Sequence, residues 1–231
     1  MTKHAPKSPA VSLASLSEAE REAFLGALSG NAMAALPFVW SLWAHPLHQL
    51  EPEGDWQCWV IMGGRGAGKT RAGAEWVRMQ VEGPVPEAPG RARRIALVGE
   101  TIDQARAVMV EGDSGVMAVT PPDRRPELRA SQHKLIWPNG AEARLMSAAN
   151  PEAMRGPQFD GAWSDELAKW RKGREAWDML QFCLRLGDRP RQVVTTTPRD
   201  NDLLVEILGA PGTVVTHAGT AANRAYLAPD F

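Results

Sequence analysis

Apolar and polar positions alternate along this chain with two periods, and the switches between them mark out the elements. Cys58-Trp59-Val60-Ile61-Met62 is an unbroken apolar run, as expected of a strand covered on both faces, and Arg94-Ile95-Ala96-Leu97-Val98-Gly99 reads the same way. Between them Ala72, Trp76, Val77 and Met79 recur at helical spacing. Further strands are expected over 158–164, 192–196 and 213–217, with helices over about 101–111, 173–186 and 202–208. Lys134 to Trp137, the step Asn139-Gly140, and Ala141 to Met146 form a β-hairpin signal. Strands alternating with helices predict an α/β fold with a mostly parallel central sheet flanked by helices.

Upstream, residues 1–15 are small, polar and Pro-containing, and read as a loose arm. A helical lead-in follows over 16–55. Ser17 and Glu20 fit a capping box, Phe24, Leu25 and Leu28 make an apolar side, and a second helix is expected from Ala32 to Trp43. The core is placed at 56–220, and 221–231 reads as the start of a linker.

The chain has 231 residues, 44% of them hydrophobic, which suits one globular domain. It has no apolar run long enough to cross a membrane and no secretion signal at its start, so a cytoplasmic location is expected and a membrane partner is not. Cys58 and Cys183 lie in apolar surroundings and read as reduced core residues. His45 and His48 lack the partners of a metal site. A formal net charge of -1 leaves no broad electrostatic grip on nucleic acid, so any such contact must be local. Small basic clusters, among them Arg91, Arg93 and Arg94, read most simply as solvated faces.

The candidate chemistry begins at Gly63-Gly64-Arg65-Gly66-Ala67-Gly68-Lys69-Thr70, which fits G-x-x-x-x-G-K-[ST]. Glycines let successive backbone N–H groups close around phosphate oxygens. Lys69 supplies charge to the outer phosphates, Thr70 a hydroxyl for Mg²⁺, and Arg71 completes the candidate nucleotide-binding set. With a strand before it and a helix after it, the motif predicts a P-loop NTPase that uses a nucleoside triphosphate and Mg²⁺. Hydrolysis needs a second acidic element. Trp163-Ser164-Asp165-Glu166 supplies it, with Asp165 as a second metal residue and Glu166 as the base that takes the proton of the attacking water. An Asp-Glu pair favours hydrolysis over transfer to another acceptor. Thr195, Thr196 and Thr197 close the 192–196 strand with hydroxyls that could face the γ-phosphate.

Taken together and in this order, the phosphate loop, Met154-Arg155-Gly156, Trp163-Ser164-Asp165-Glu166 and Thr195-Thr196-Thr197-Pro198 resemble the large terminase subunit of tailed bacteriophages and gene transfer agents. The resemblance covers about Trp56 to Thr220. It implies a catalytic-glutamate (ASCE, RecA-like) ATPase that forms a homo-oligomeric ring on a procapsid portal, works with a small terminase subunit, and drives double-stranded DNA inside. It implies that Thr195–Thr197 couple hydrolysis to movement and that Arg155 reaches a neighbouring subunit's nucleotide. Arg65 would act within its own subunit or sense the nucleotide. By likeness to related ATPases, Trp56 and Gln57 are candidates for the adenine contact. The family commonly continues into a nuclease domain; the sequence stops at Phe231, so the motor domain alone, without nuclease activity, is expected. Two other readings fit the residues: another nucleic-acid ATPase of the helicase or recombinase type, and an assembly switch in which ATP only stabilises an interface.

Overall fold

A computed structural model of the chain describes residues 7–218. The first six residues of the expected arm, the last two of the expected core and the expected linker at 221–231 lie outside the described residues. Within the arm, Pro9–Ala14 forms a helix (α1), because Ser8 caps it by accepting from Val11 N and Pro9 sits where no N–H is needed. Helix α2 (Glu18–Gly26) begins with the expected capping box between Ser17 and Glu20.

The single helix expected from Ala32 to Trp43 is broken. It becomes α3 (Gly30–Ala35), a 3₁₀ turn (Leu36–Phe38) and α4 (Trp40–Trp43). Pro37 in the turn has no N–H to donate, and Val39 leaves helical geometry.

The remaining elements run β1 (Cys58–Gly63), α5 (Lys69–Val81), β2 (Arg94–Gly99), α6 (Ile102–Gln104), α7 (Val116–Val119), β3 (Glu127–Arg129), β4 (Lys134–Ile136), β5 (Glu142–Ser147), β6 (Gly161–Asp165), α8 (Gly173–Cys183), β7 (Arg191–Thr196), α9 (Asp202–Gly209) and β8 (Thr213–Ala218). After α6 the expected helix widens into a π-helical segment, Ala105–Val110. The sheet has the order β3-β4-β5-β2-β6-β7-β1-β8. From β5 to β8 all pairings are parallel; β3-β4 and β4-β5 are antiparallel. The hairpin is thus part of the main sheet, its second strand continuing the parallel array, and β3 extends it with a strand absent from the sequence expectation.

Both faces of the central parallel strands β1, β2, β6 and β7 are covered, which is why nearly every position along them is buried. On one side Trp59, Ile61, Ile95, Leu97 and Trp163 pack with Trp76, Val77 and Val81 of α5. On the other, Val60, Ala96, Val98 and Val194 pack with Trp177 and Leu180 of α8 and Leu204 and Ile207 of α9. The backbone of α5 comes so close to β6 that a Cβ at Gly73 would fall on the Trp163 indole. This contact fixes the phosphate-loop helix against the strand that ends in Asp165.

Candidate nucleotide site

The carboxyl ends of β1, β6 and β7 lie side by side, and each delivers one part of the site. Beyond β1, Gly66 and Gly68 take φ of 71° and 77°, the left-handed region that glycine enters without strain, and Gly68 is the N-cap residue of α5. The loop therefore turns sharply onto the N-terminus of a 13-residue helix, which points N–H groups and the positive dipole end outward. Lys69 is buried at the base of this turn. Its Nζ donates to the carbonyl oxygens of Gly63 and Gly64, each at 3.0 Å, and to Thr197 Oγ1 at 3.5 Å.

Strand β6 brings the acidic pair. Asp165 is 3% exposed, and Thr195 Oγ1 donates to its Oδ1 at 2.6 Å. Burial pushes its pKa up to about 6; the Thr195 hydrogen bond opposes the rise and the charge of Glu166 adds to it. Glu166 has φ 51° and ψ 41°, a left-handed backbone that a residue with a Cβ adopts at a cost of about 1–3 kcal/mol. A 2.6 Å hydrogen bond from its N–H to Thr195 O holds it there, aiming the carboxylate across at β7 and the loop. Glu166 Oε1 accepts from Thr197 Oγ1 at 3.1 Å and lies 3.6 Å from Lys69 Nζ; Oε2 lies 2.9 Å from Lys169 Nζ. Burial would raise the pKa of this carboxyl, but the Lys169 hydrogen bond and the charges of Lys69 and Lys169 hold it below the ordinary glutamate value.

The three threonines do not act alike. Thr195 is fully buried, accepts from Trp163 Nε1 at 2.8 Å and orients Asp165. Thr196 accepts from Ala168 N and faces the turn after Glu166. Thr197 stands between Lys69 and Glu166, so of the three it has the hydroxyl placed to face the phosphates.

Beside the loop opens a cavity of about 690 Å³. Its walls include residues 66–71 of the loop and helix start, Trp40, Trp43, Gln49 and, from the π-helical side, Val108 and Asp113. Arg71 lies 5.7 Å over the Trp40 ring and is anchored from behind by Glu75, wholly buried, at 2.7 Å. Gln49 braces the loop itself, donating to Ala67 O at 3.3 Å.

This order of parts, on this sheet, coincides with a match over residues 60–208, well over half of the chain, to the family model described as terminase large subunit, T4likevirus-type, N-terminal. The chain belongs to the large-terminase family. The large terminase of a thermophilic bacteriophage, solved in complex with ADP, has a TM-score of 0.58 at 14% identity, over 85% of this chain and 47% of that one. The ATPase domain of the Thermus phage P74-26 large terminase has a TM-score of 0.54 at 15% identity, over 91% and 89% of the two chains. At these identities the likeness is one of fold, and that fold is the P-loop NTPase fold. The chain spans about half the length of the ADP-bound terminase. No curated protein sequence matches it.

Four of the expected residues, Arg65, Arg155, Trp56 and Gln57, do not line this cavity. Arg65 is exposed within the loop. Arg155 caps the 3₁₀ turn Pro151–Met154, is 66% exposed, and pairs only with Glu152 at 2.9 Å among the described residues. Trp56 and Gln57 precede β1 at its amino end, a strand length of roughly 17 Å from the loop. Trp56 is buried there, with Arg191 4.4 Å over its ring, so these two residues are not part of this terminase cavity. The residues that sequence reasoning missed are Trp40, Trp43 and Gln49 of the lead-in, Glu75 behind Arg71, and Lys169. For Lys169 and Glu75 the only sequence signal is spacing: three residues after Glu166, and four after Arg71.

Proposed function

We propose that this chain is the ATP-hydrolysing motor domain of a DNA-packaging terminase. The observation that carries the reading is the chain of contacts Lys69–Thr197–Glu166, which joins a phosphate-binding lysine to an ionised carboxylate through one hydroxyl. ATP would lay its phosphates on the N–H groups of the loop, with Lys69 stabilising the charge that builds on the γ-phosphate. Glu166 would accept the proton of the attacking water at a carboxylate oxygen, and its depressed pKa keeps it ionised for that task at neutral pH. Thr197, hydrogen-bonded to that carboxylate, would orient it. The cavity walled by Trp40 and Arg71 is the place for the base.

The donor set suits magnesium. No group of three or more His, Cys, Asp or Glu side chains converges among the described residues, so a cation would rely on Thr70, Asp165 and the nucleotide's own oxygens, the arrangement Mg²⁺ favours. The burial that raises the Asp165 pKa also means that a cation beside it would relieve an unfavourable charge. When bound, the ion neutralises phosphate charge.

From the family come the larger assignments: duplex DNA as the cargo, a portal and a small terminase subunit as partners, a ring as the active form, and action in the cytoplasm on a procapsid. Exposed Arg155 would complete the neighbouring subunit's site in that ring, and Arg65 would sense nucleotide in its own. Among the described residues no helix is long and apolar enough to cross a membrane. Phosphate release from Mg-ATP by the parent and by Glu166→Gln tests the reading. Loss of a general base predicts a fall of roughly 10²- to 10⁴-fold with nucleotide binding retained. Turnover unchanged by the substitution would contradict it.

A further inference from the structure

At the sheet edge formed by β3, β4 and β5, one face is covered and the other is open. Leu128, Leu135, Ala143 and Leu145 turn to the side of α5 and join its core. The alternate positions Arg129, Lys134 and Arg144 stand opposite one another across the three strands, a row of three cations. Like charges placed directly opposite repel, so a sheet does not gain by making such a row for itself. In the neighbouring row Glu127 takes Arg129 at 3.4 Å and Glu142 takes Lys134 at 2.8 Å.

Nothing equivalent serves the rest. Arg94 stands opposite Glu142 on β2, but that carboxylate is spent on Lys134. Asp160 is the other acid nearby, and it accepts from the backbone N–H groups of Arg93 and Arg94 at 2.7 and 2.9 Å. Among the described residues no carboxylate pairs with the side chains of Arg93, Arg94 or Arg144, all exposed. Arg93 and Arg94 also rim a pocket of about 450 Å³ at the amino ends of the parallel strands, away from the nucleotide site.

The geometry points to this open face as a docking surface for the phosphate backbone of duplex DNA, with Arg93, Arg94 and Arg144 as the phosphate contacts. The inference rests on the proposed packaging function. Charge complementarity commits it to that occupant: the chain is near neutral overall, yet here the sheet edge presents guanidinium forks with no carboxylate partner among the described residues, the groups best shaped for phosphate. Backbone contacts of this kind bind without reading sequence, as a motor that moves along any DNA requires.

The test is the salt dependence of binding to a short labelled DNA duplex between about 50 and 200 mM salt, with ATP hydrolysis in the absence of DNA measured alongside. Each lost phosphate contact should flatten the slope of log K against log salt by about 0.9, so Arg144→Ala should lose about 0.9 and the triple Arg93→Ala, Arg94→Ala, Arg144→Ala about 2.7, with basal hydrolysis unchanged. Lysine at the three positions should restore most of the slope. An unchanged slope, or no duplex binding by the parent, overturns the inference. So does binding of an acidic peptide that the triple variant abolishes while the duplex slope stands, which would assign the face to a protein partner. A parent that hydrolyses ATP but whose slope ignores these arginines sinks this inference alone; a parent without hydrolysis sinks the motor reading.

Discussion

Three adjacent threonines occupy three different environments, and the difference decides what each contributes. Thr197 touches both the phosphate-loop lysine and the Glu166 carboxylate, whereas Thr196 accepts from Ala168 N on the far side of the strand. Thr197→Val should therefore slow phosphate release roughly 10- to 100-fold, the size of a lost hydrogen bond to a charged group, with little change in thermal stability. Thr196→Val should do the reverse. Steady-state hydrolysis and Tm measured on both variants check this, and equal effects on turnover would contradict the assignment. The pattern Thr-Thr-Thr-Pro shows in the sequence as a strand ending in hydroxyls. Which hydroxyl faces the site depends on the pleat and on how β7 leaves the sheet, and neither is legible from composition.

Along α5, an ionic ladder runs Arg71–Glu75–Arg78–Glu82, with separations of 2.7, 3.2 and 3.8 Å. Arg78 also donates to Val119 O and Phe38 O, each at 2.7 Å, tying the helix to α7 and to the lead-in. At its far end, burial pushes Glu82 from 4.5 up to about 7, with Arg78 and Arg124 opposing the shift. The folded protein then binds this proton more tightly than the unfolded chain does, so the Glu82 contribution to stability falls as pH rises from about 4.5 to about 7. Glu82→Gln stays neutral throughout. Its Tm should match the parent's near pH 5 and exceed it near pH 8; a gap that stays constant across that range would contradict the assignment.

Most of the fold was legible from its periods and turn signals: β1, α5 and β2 around the phosphate loop, the β4–β5 hairpin, and β6, α8, β7, α9 and β8 after it, with ends shifted by a few residues. Pro37 carried a warning of the break between α3 and α4 that the apolar pattern of Trp40 and Trp43 masked. Strand β3 has three residues, too few for alternation to register, and exists because β4 offers it an edge. The widening at Ala105–Val110 has no sequence mark at all. The cavity walls were hidden for a related reason: Trp40 and Gln49 reach the loop only because the lead-in folds back over α5.

For the molecule as a whole, the fold gathers the phosphate loop, the acidic pair and Thr197 at one end of the sheet and leaves Arg155 outside, largely exposed. In the proposed motor, a neighbouring copy completes the transition-state charge of each ATP site. The decisive measurement is phosphate release per chain from Mg-ATP as protein concentration rises, for the parent, Glu166→Gln and Arg155→Ala. Parent activity per chain should climb with concentration, with both variants near background at every concentration. A parent rate that is flat with concentration and indifferent to Arg155→Ala would contradict sites shared between subunits.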